Sequence, residues 1–217
     1  MKQLDSLSRS EYISKVELYK KWAPAAFETF NKFAGATFSD GALSNKEKEI
    51  IAVGCAHSLR CPYCIDYHIK LALEAGALKE EIAESIWVAI ALGSGACLAH
   101  AAIAIKTLDG ATGDFYNSET SAEIKKFSAL MPEMSARYVE FEDAAFRDGV
   151  LPSEFKYLIA IACAHNTRCP FCIEHHVGQA LKTNQPNEVI AEAIWVAIEM
   201  GAGACFGHAG LSAAILE

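Results

Sequence analysis

The sequence is written twice. Cys61-Pro62-Tyr63-Cys64 with His68 recurs as Cys169-Pro170-Phe171-Cys172 with His176, and Cys55-Ala56-His57 ahead of the first recurs as Cys163-Ala164-His165, always 108 residues later. The register holds far from the cysteines. It pairs Phe38 with Phe146, Asp40-Gly41 with Asp148-Gly149, Trp87 with Trp195, Cys97 with Cys205 and His100 with His208. Between Cys55 and Leu108 about half the positions are identical to their partners, which marks a duplicated unit and not a chance recurrence. Whatever one half folds into, the other must fold into as well. The chain divides accordingly into an N-terminal arm at 1–17, a first module at 18–108, a linker at 109–126 and a second module at 127–217. The linker is assigned from turn-forming composition, Asp109-Gly110-Ala111-Thr112-Gly113-Asp114 and Asn117-Ser118-Glu119-Thr120-Ser121.

Each module reads as helix nearly throughout. Apolar residues recur every three or four positions and alternating β-branched runs are few, so the fold class is all-α, two tandem helical modules. Helices are expected near 22–38, 44–58, 62–75, 79–93 and 96–108, and again near 130–146, 153–166, 170–182, 187–201 and 204–216. Ser44 and Glu47 have the spacing of a capping box, and Asn187 reads as an N-cap. Residues 86–105 carry no charge over a length that could cross a bilayer. Gly93-Ser94-Gly95 interrupts them and the second copy carries Glu199, so the stretch is read as soluble core, two packed helices meeting at the glycines.

A net charge of -8 and a pI near 5.4, with scattered basic residues, argue against a nucleic-acid or anionic-membrane partner. The first fourteen residues lack an apolar run of signal-peptide length, which makes the cytoplasm the expected location. Thiols are kept reduced there. Eight cysteines then point to catalysis, redox sensing or metal binding, not to a disulfide scaffold.

Proline is best tolerated in the first helical turn, so Pro62 and Pro170 place Cys61 and Cys169 at N-caps and Cys64 and Cys172 at the third helical position. Sulfurs there meet unsatisfied N–H groups and the positive end of the helix dipole. That stabilises a thiolate and brings at least one thiol of each pair below a free cysteine's pKa of about 8.5. Two such thiols form a two-electron couple: the first, attacking an oxidant, becomes a sulfenic acid, and the second condenses with it and releases water. His68 and His176 lie one turn beyond the second cysteine, within reach of its proton. Glu49 lies on the preceding helix, and antiparallel packing would turn it toward His68.

Glu49, eleven residues, Cys61-x-x-Cys64, three residues and His68 together resemble the pattern of the AhpD-like alkylhydroperoxidases, a branch of the carboxymuconolactone decarboxylase family. The resemblance extends over both modules. It implies an all-helical, oligomeric thiol peroxidase or disulfide reductase that works without cofactor, metal or haem. Such an enzyme reduces alkyl hydroperoxides and takes electrons from a dithiol donor or passes them to a peroxiredoxin. By the same resemblance Cys64 attacks the peroxide, Cys61 resolves it, and His68 and Glu49 shuttle protons; Cys172, Cys169 and His176 take these roles in the second module. Rings of modules in that family imply a dimer or trimer of this chain, and an arm face of Tyr12, Ile13, Val16 and Tyr19 could reach a neighbouring subunit or equally fold back on its own module. The second copy departs at Tyr157, which stands where the acid belongs. A phenol donates a hydrogen bond but is no carboxylate base at neutral pH. Glu154, one turn earlier, is the nearest substitute, and the first site is expected to be the faster.

Two other readings compete. One is a non-redox enzyme of the decarboxylase type, independent of the cysteine pairs. The other is a zinc-binding helical module using the two cysteines and the histidine, with Cys55 or His57 as fourth ligand. Redox ranks ahead of zinc because each cluster recurs as a complete local unit. His57 and His165 stand as supporting residues behind the thiols, with His100 and His208 as further candidates. Cys55, Cys97, Cys163 and Cys205 are read as small buried core residues, Trp87 and Trp195 as core anchors or interface residues, and Asp66 and Glu174 as solvated.

Overall fold

Two helix ends decide where the reactive segments sit. In this computed structural model, which describes residues 14–110 and 120–217, helix α3 (Asn45–Ser58) opens on the capping box: the Ser44 hydroxyl accepts from the Glu47 N–H and the Glu47 carboxylate accepts from the Ser44 N–H. It closes with Arg60 in the left-handed region at φ 54°, the Arg60 N–H donating to the His57 carbonyl and the Cys61 N–H to that of Ala56. This is a Schellman ending, and it swings the chain directly into α4 (Pro62–Glu74). Arg168, at φ 57°, does the same between α8 (Ser153–Thr167) and α9 (Pro170–Lys182).

The remaining helices are α1 (Leu18–Trp22), α2 (Pro24–Thr37), α5 (Lys79–Leu108), α6 (Thr120–Leu130), α7 (Pro132–Phe146) and α10 (Asn187–Leu216). The sequence reading is corrected at α5 and α10, each one unbroken helix of 30 residues where two were expected. A glycine inside a helix costs about 1 kcal/mol relative to alanine but keeps its N–H, so without proline the hydrogen-bond ladder runs on. Gly95 has a packing use, since a Cβ there would lie 3.2 Å from the Tyr138 hydroxyl of α7. By length and composition both long helices could cross a membrane. Each opens on a first turn carrying glutamate and packs against the core, and the burial is that of a soluble domain.

Helix α6 begins at Thr120, within the stretch assigned as linker, and buries Thr120 and Glu123. Residues 111–119 lie outside the described residues, as do Tyr12 and Ile13 of the arm; Val16 is buried and Tyr19 packs edge-on against Trp22. Asn187 is the first helical residue rather than the cap, because Pro186, at φ -60° and ψ 145°, takes that position.

The modules share one core. Ile50, Ile51 and Val53 of α3 and Leu158, Ile159 and Ile161 of α8 are at most 1% exposed, and the two helices cross at Gly54, where a Cβ would meet Ile159 Cγ2 at 2.8 Å. Contacts across the boundary come in reciprocal pairs, as an approximate twofold relation requires. Trp195 packs edge-on against Phe33 and Trp87 against Phe141. Glu192 of α10 accepts the N–H groups of Ala42 (3.0 Å) and Leu43 (2.8 Å) and pairs with the buried Lys48 ammonium at 3.0 Å. Glu84 of α5 does likewise for Val150, Leu151 and Lys156. The recurrence of glycine at 41 and 149 is thereby explained: a Cβ at Gly41 or Gly149 would lie 2.2 or 2.1 Å from the clamping carboxylate oxygen.

Burial works against ionisation of Glu84 and Glu192, but the N–H bonds and lysine ammonium outweigh it and hold both carboxyls below the usual range. Their stabilisation is therefore present above the ordinary glutamate pKa of about 4.3 and is lost as pH falls through the lower folded value. Glu192→Ala is expected to cost about 2–4 kcal/mol in urea denaturation, because it strips two N–H groups and a buried ammonium of their acceptor. Glu192→Gln is expected to flatten the acid limb of stability.

Candidate active site

At the first CxxC the N-cap geometry is as the proline dictates. Cys61 caps α4 and its Sγ accepts the Cys64 N–H at 3.2 Å; the two are joined as a disulfide with a Cα–Cα distance of 5.3 Å. Cys61 has no exposed surface and Cys64 keeps 6%, so Cys64 presents the solvent-side sulfur. One turn on, His68 is buried with its Nδ1 at 2.8 Å from Glu49 Oε2, which α3 delivers by packing antiparallel to α4. With Nδ1–H donating to the carboxylate, Nε2 is the nitrogen that gains and loses a proton. Phe38 stacks on the imidazole at 5.3 Å and Tyr67 meets it edge-on at 5.1 Å. The site also reaches into the other module, where His208 of α10 lies edge-on to Tyr63 at 5.5 Å.

The second CxxC repeats the frame. Cys169 Sγ accepts the Cys172 N–H at 3.3 Å, the pair is a disulfide, Phe146 stacks on His176 at 5.2 Å, and His100 of α5 packs against Phe171. The relay is missing. Tyr157 stacks on Phe146 instead of bonding to the imidazole, Glu154 is exposed, and the buried His176 Nδ1 has no hydrogen-bond partner among the described residues. Burial, with neighbouring His175, holds His176 down to about 4.

The supporting histidines are anchored to backbone. His57, His100, His165 and His208 each place Nδ1 within 2.7–2.8 Å of the carbonyl four residues earlier. Cys55 and Cys163 are buried free thiols in hydrogen-bond contact across the module boundary, burial pushing the Cys55 thiol up. Cys97 and Cys205, expected in the core, are exposed, since they lie on the outer stripe of α5 and α10 that no other helix covers among the described residues. Asp66 is exposed and pairs with Lys70. Among the described residues no three or more His, Cys, Asp or Glu side chains come together as metal ligands. Phe38 and Glu199 were missed as site residues. Phe38 had only its recurrence to mark it, and Glu199 only its charge within an apolar stretch.

A family model for carboxymuconolactone decarboxylases matches residues 24–107 and 132–214, one match per module. The chain belongs to the carboxymuconolactone decarboxylase family. Two proteins of similar sequence are short. A Paracoccus denitrificans protein named "uncharacterized protein 4 in cox locus" is 46% identical over 99 residues, 42% of this chain and 89% of its own. An uncharacterized protein of Cupriavidus necator is 38% identical over 82 residues, 36% of this chain and 73% of its own. Each is about one module long. A crystal structure from Burkholderia xenovorans LB400, provisionally named a gamma-carboxymuconolactone decarboxylase subunit, superposes with a TM-score of 0.73 over 99% of this chain and 92% of that one. At 20% identity it shares the fold. Within this family the two CxxC pairs make the chain's modules redox-capable.

His176 is expected to titrate near 4 by NMR. A histidine kept neutral by burial contributes stability above its unfolded pKa of about 6.5, and that stability falls between there and about pH 4, by at most ~3 kcal/mol. His176→Gln is expected to remove this part of the pH dependence.

Proposed function

We propose that this chain is an AhpD-like thiol peroxidase or disulfide reductase, and that the first site carries most of its turnover. The observation behind this is the buried 2.8 Å Glu49–His68 pair one turn from a helix-capping cysteine couple. The Cys64 thiolate attacks the terminal oxygen of an alkyl hydroperoxide, the O–O bond breaks, and Cys64 becomes a sulfenic acid. His68, which has taken the Cys64 proton, returns it to the departing alkoxide. Cys61 then attacks the Cys64 sulfur, water leaves, and the disulfide forms with two electrons passed to the peroxide. An external dithiol, or a peroxiredoxin acting as partner, closes the cycle. Glu49 orients His68 and offsets its positive charge.

At the second site Cys172, Cys169 and His176 would act the same way with no carboxylate behind the imidazole, hence more slowly. A cytoplasmic setting suits a cycle that needs a dithiol donor. A homo-oligomer suits the exposed apolar residues Trp87, Ile90, Trp195 and Ile198 on the long helices.

In hydroperoxide turnover with dithiothreitol, Cys61→Ser/Cys64→Ser is expected to lose most activity and Cys169→Ser/Cys172→Ser to keep most. Glu49→Gln is expected to lower the rate about 10²-fold. Activity that survives loss of both cysteine pairs would refute the reading and favour a non-redox enzyme.

A further inference from the structure

Helix α10 brings a carboxylate to the first site that none of these roles uses. Glu199 lies in the middle of α10, 5% exposed, and its buried Oε2 has no hydrogen-bond partner among the described residues. The titratable groups within its field are Glu49 and Cys55 from α3 and Tyr67 and His68 from α4. One imidazole thus lies within the field of two buried carboxylates, one from each module. The corresponding residue of α5 is Ala91, so the second site has neither acid. A lone carboxylate in apolar surroundings does not stabilise a fold; burying it unpaired costs free energy and raises its affinity for a proton. Burial first, and then the charge of Glu49, raise the Glu199 pKa above the usual carboxylate range, while a charged His68 works against them.

We propose that Glu199 is a positioning residue of the first site, a proton store acting through His68 and supplied by the second module. This rests on the thiol-peroxidase reading and adds one step to it. The proton that leaves Cys64 passes through His68 to Glu199 and returns by His68 to the alkoxide as the O–O bond breaks. The electron pair moves from sulfur to oxygen, the proton is only lent, and the overall stoichiometry is unchanged. Glu49 keeps its contact with Nδ1 throughout. The second module thereby contributes to chemistry at the first site.

The test uses the full chain and the variants Glu199→Gln, Glu199→Asp and Glu199→Ala. With the cysteines reduced, the rate of Cys64 alkylation by iodoacetamide is followed against pH by peptide mapping. The unaltered chain is expected to show two titration steps, Glu199→Gln one, and Glu199→Asp two again. The rate of disulfide formation with alkyl hydroperoxide is expected to fall about tenfold in Glu199→Gln. Glu199→Ala is expected to melt no lower than the unaltered chain. Superimposable alkylation profiles, or a melting point that drops in Glu199→Ala, would overturn the assignment. Absence of hydroperoxide reduction by the unaltered chain would instead refute the thiol-peroxidase reading, with the alkylation profiles still deciding whether Glu199 couples to the thiol.

Discussion

The reciprocal clamp between modules is the constraint on which the rest of the structure depends. Glu192 and Glu84 each reach across to close the turn ahead of the other module's α8 or α3 counterpart, and each neutralises a lysine buried at the start of that helix. These contacts set where α3 and α8 begin, and the Schellman endings at Arg60 and Arg168 set where they stop. Between those limits the two helices form the centre of the shared core. The CxxC helices follow without a spare residue, so the sulfurs, the imidazoles and the acid on α3 are placed by the same clamp that holds the modules together.

Duplication gives two equal frames, and the side chains then make them unequal. Glu49 against Tyr157 and Glu199 against Ala91 are two differences between the copies that bear on the same imidazole. The first site gains both acids and the second has none. An imidazole with a carboxylate at 2.8 Å is oriented for proton transfer; one held near 4, whose buried Nδ1 finds no partner among the described residues, is kept neutral. Because the modules interleave, this inequality does not isolate them. α10 belongs to the second module by sequence and lines the first site by position.

Much of this was legible in the residues. The repeat marked the two modules, Pro62 and Pro170 put the sulfurs at the helix N-caps, and the Ser44–Glu47 spacing marked the start of α3. The Glu49–His68 pairing needed only the assumption of an antiparallel turn. What stayed hidden depends on tertiary contact or on small energies. Two glycines, at about 1 kcal/mol each, read like a break but are too weak to make one in a helix of thirty residues. The exposure of Cys97 and Cys205 follows from which stripe of a long apolar helix is left uncovered, which composition does not show. Glu199 was visible as an odd charge, yet its neighbours lie in the other module, more than a hundred residues away in sequence.

The central claim is that the two cysteine pairs share a frame and differ in reactivity because of the acid behind the histidine. It is tested most directly on the unaltered, reduced chain. One equivalent of alkyl hydroperoxide is added, the reaction is quenched at successive times, and the peptides holding 61–64 and 169–172 are mapped by mass spectrometry. The Cys61–Cys64 disulfide is expected to form first, with the Cys169–Cys172 pair still largely reduced. Equal rates, or oxidation of Cys169–Cys172 ahead of it, would contradict the claim.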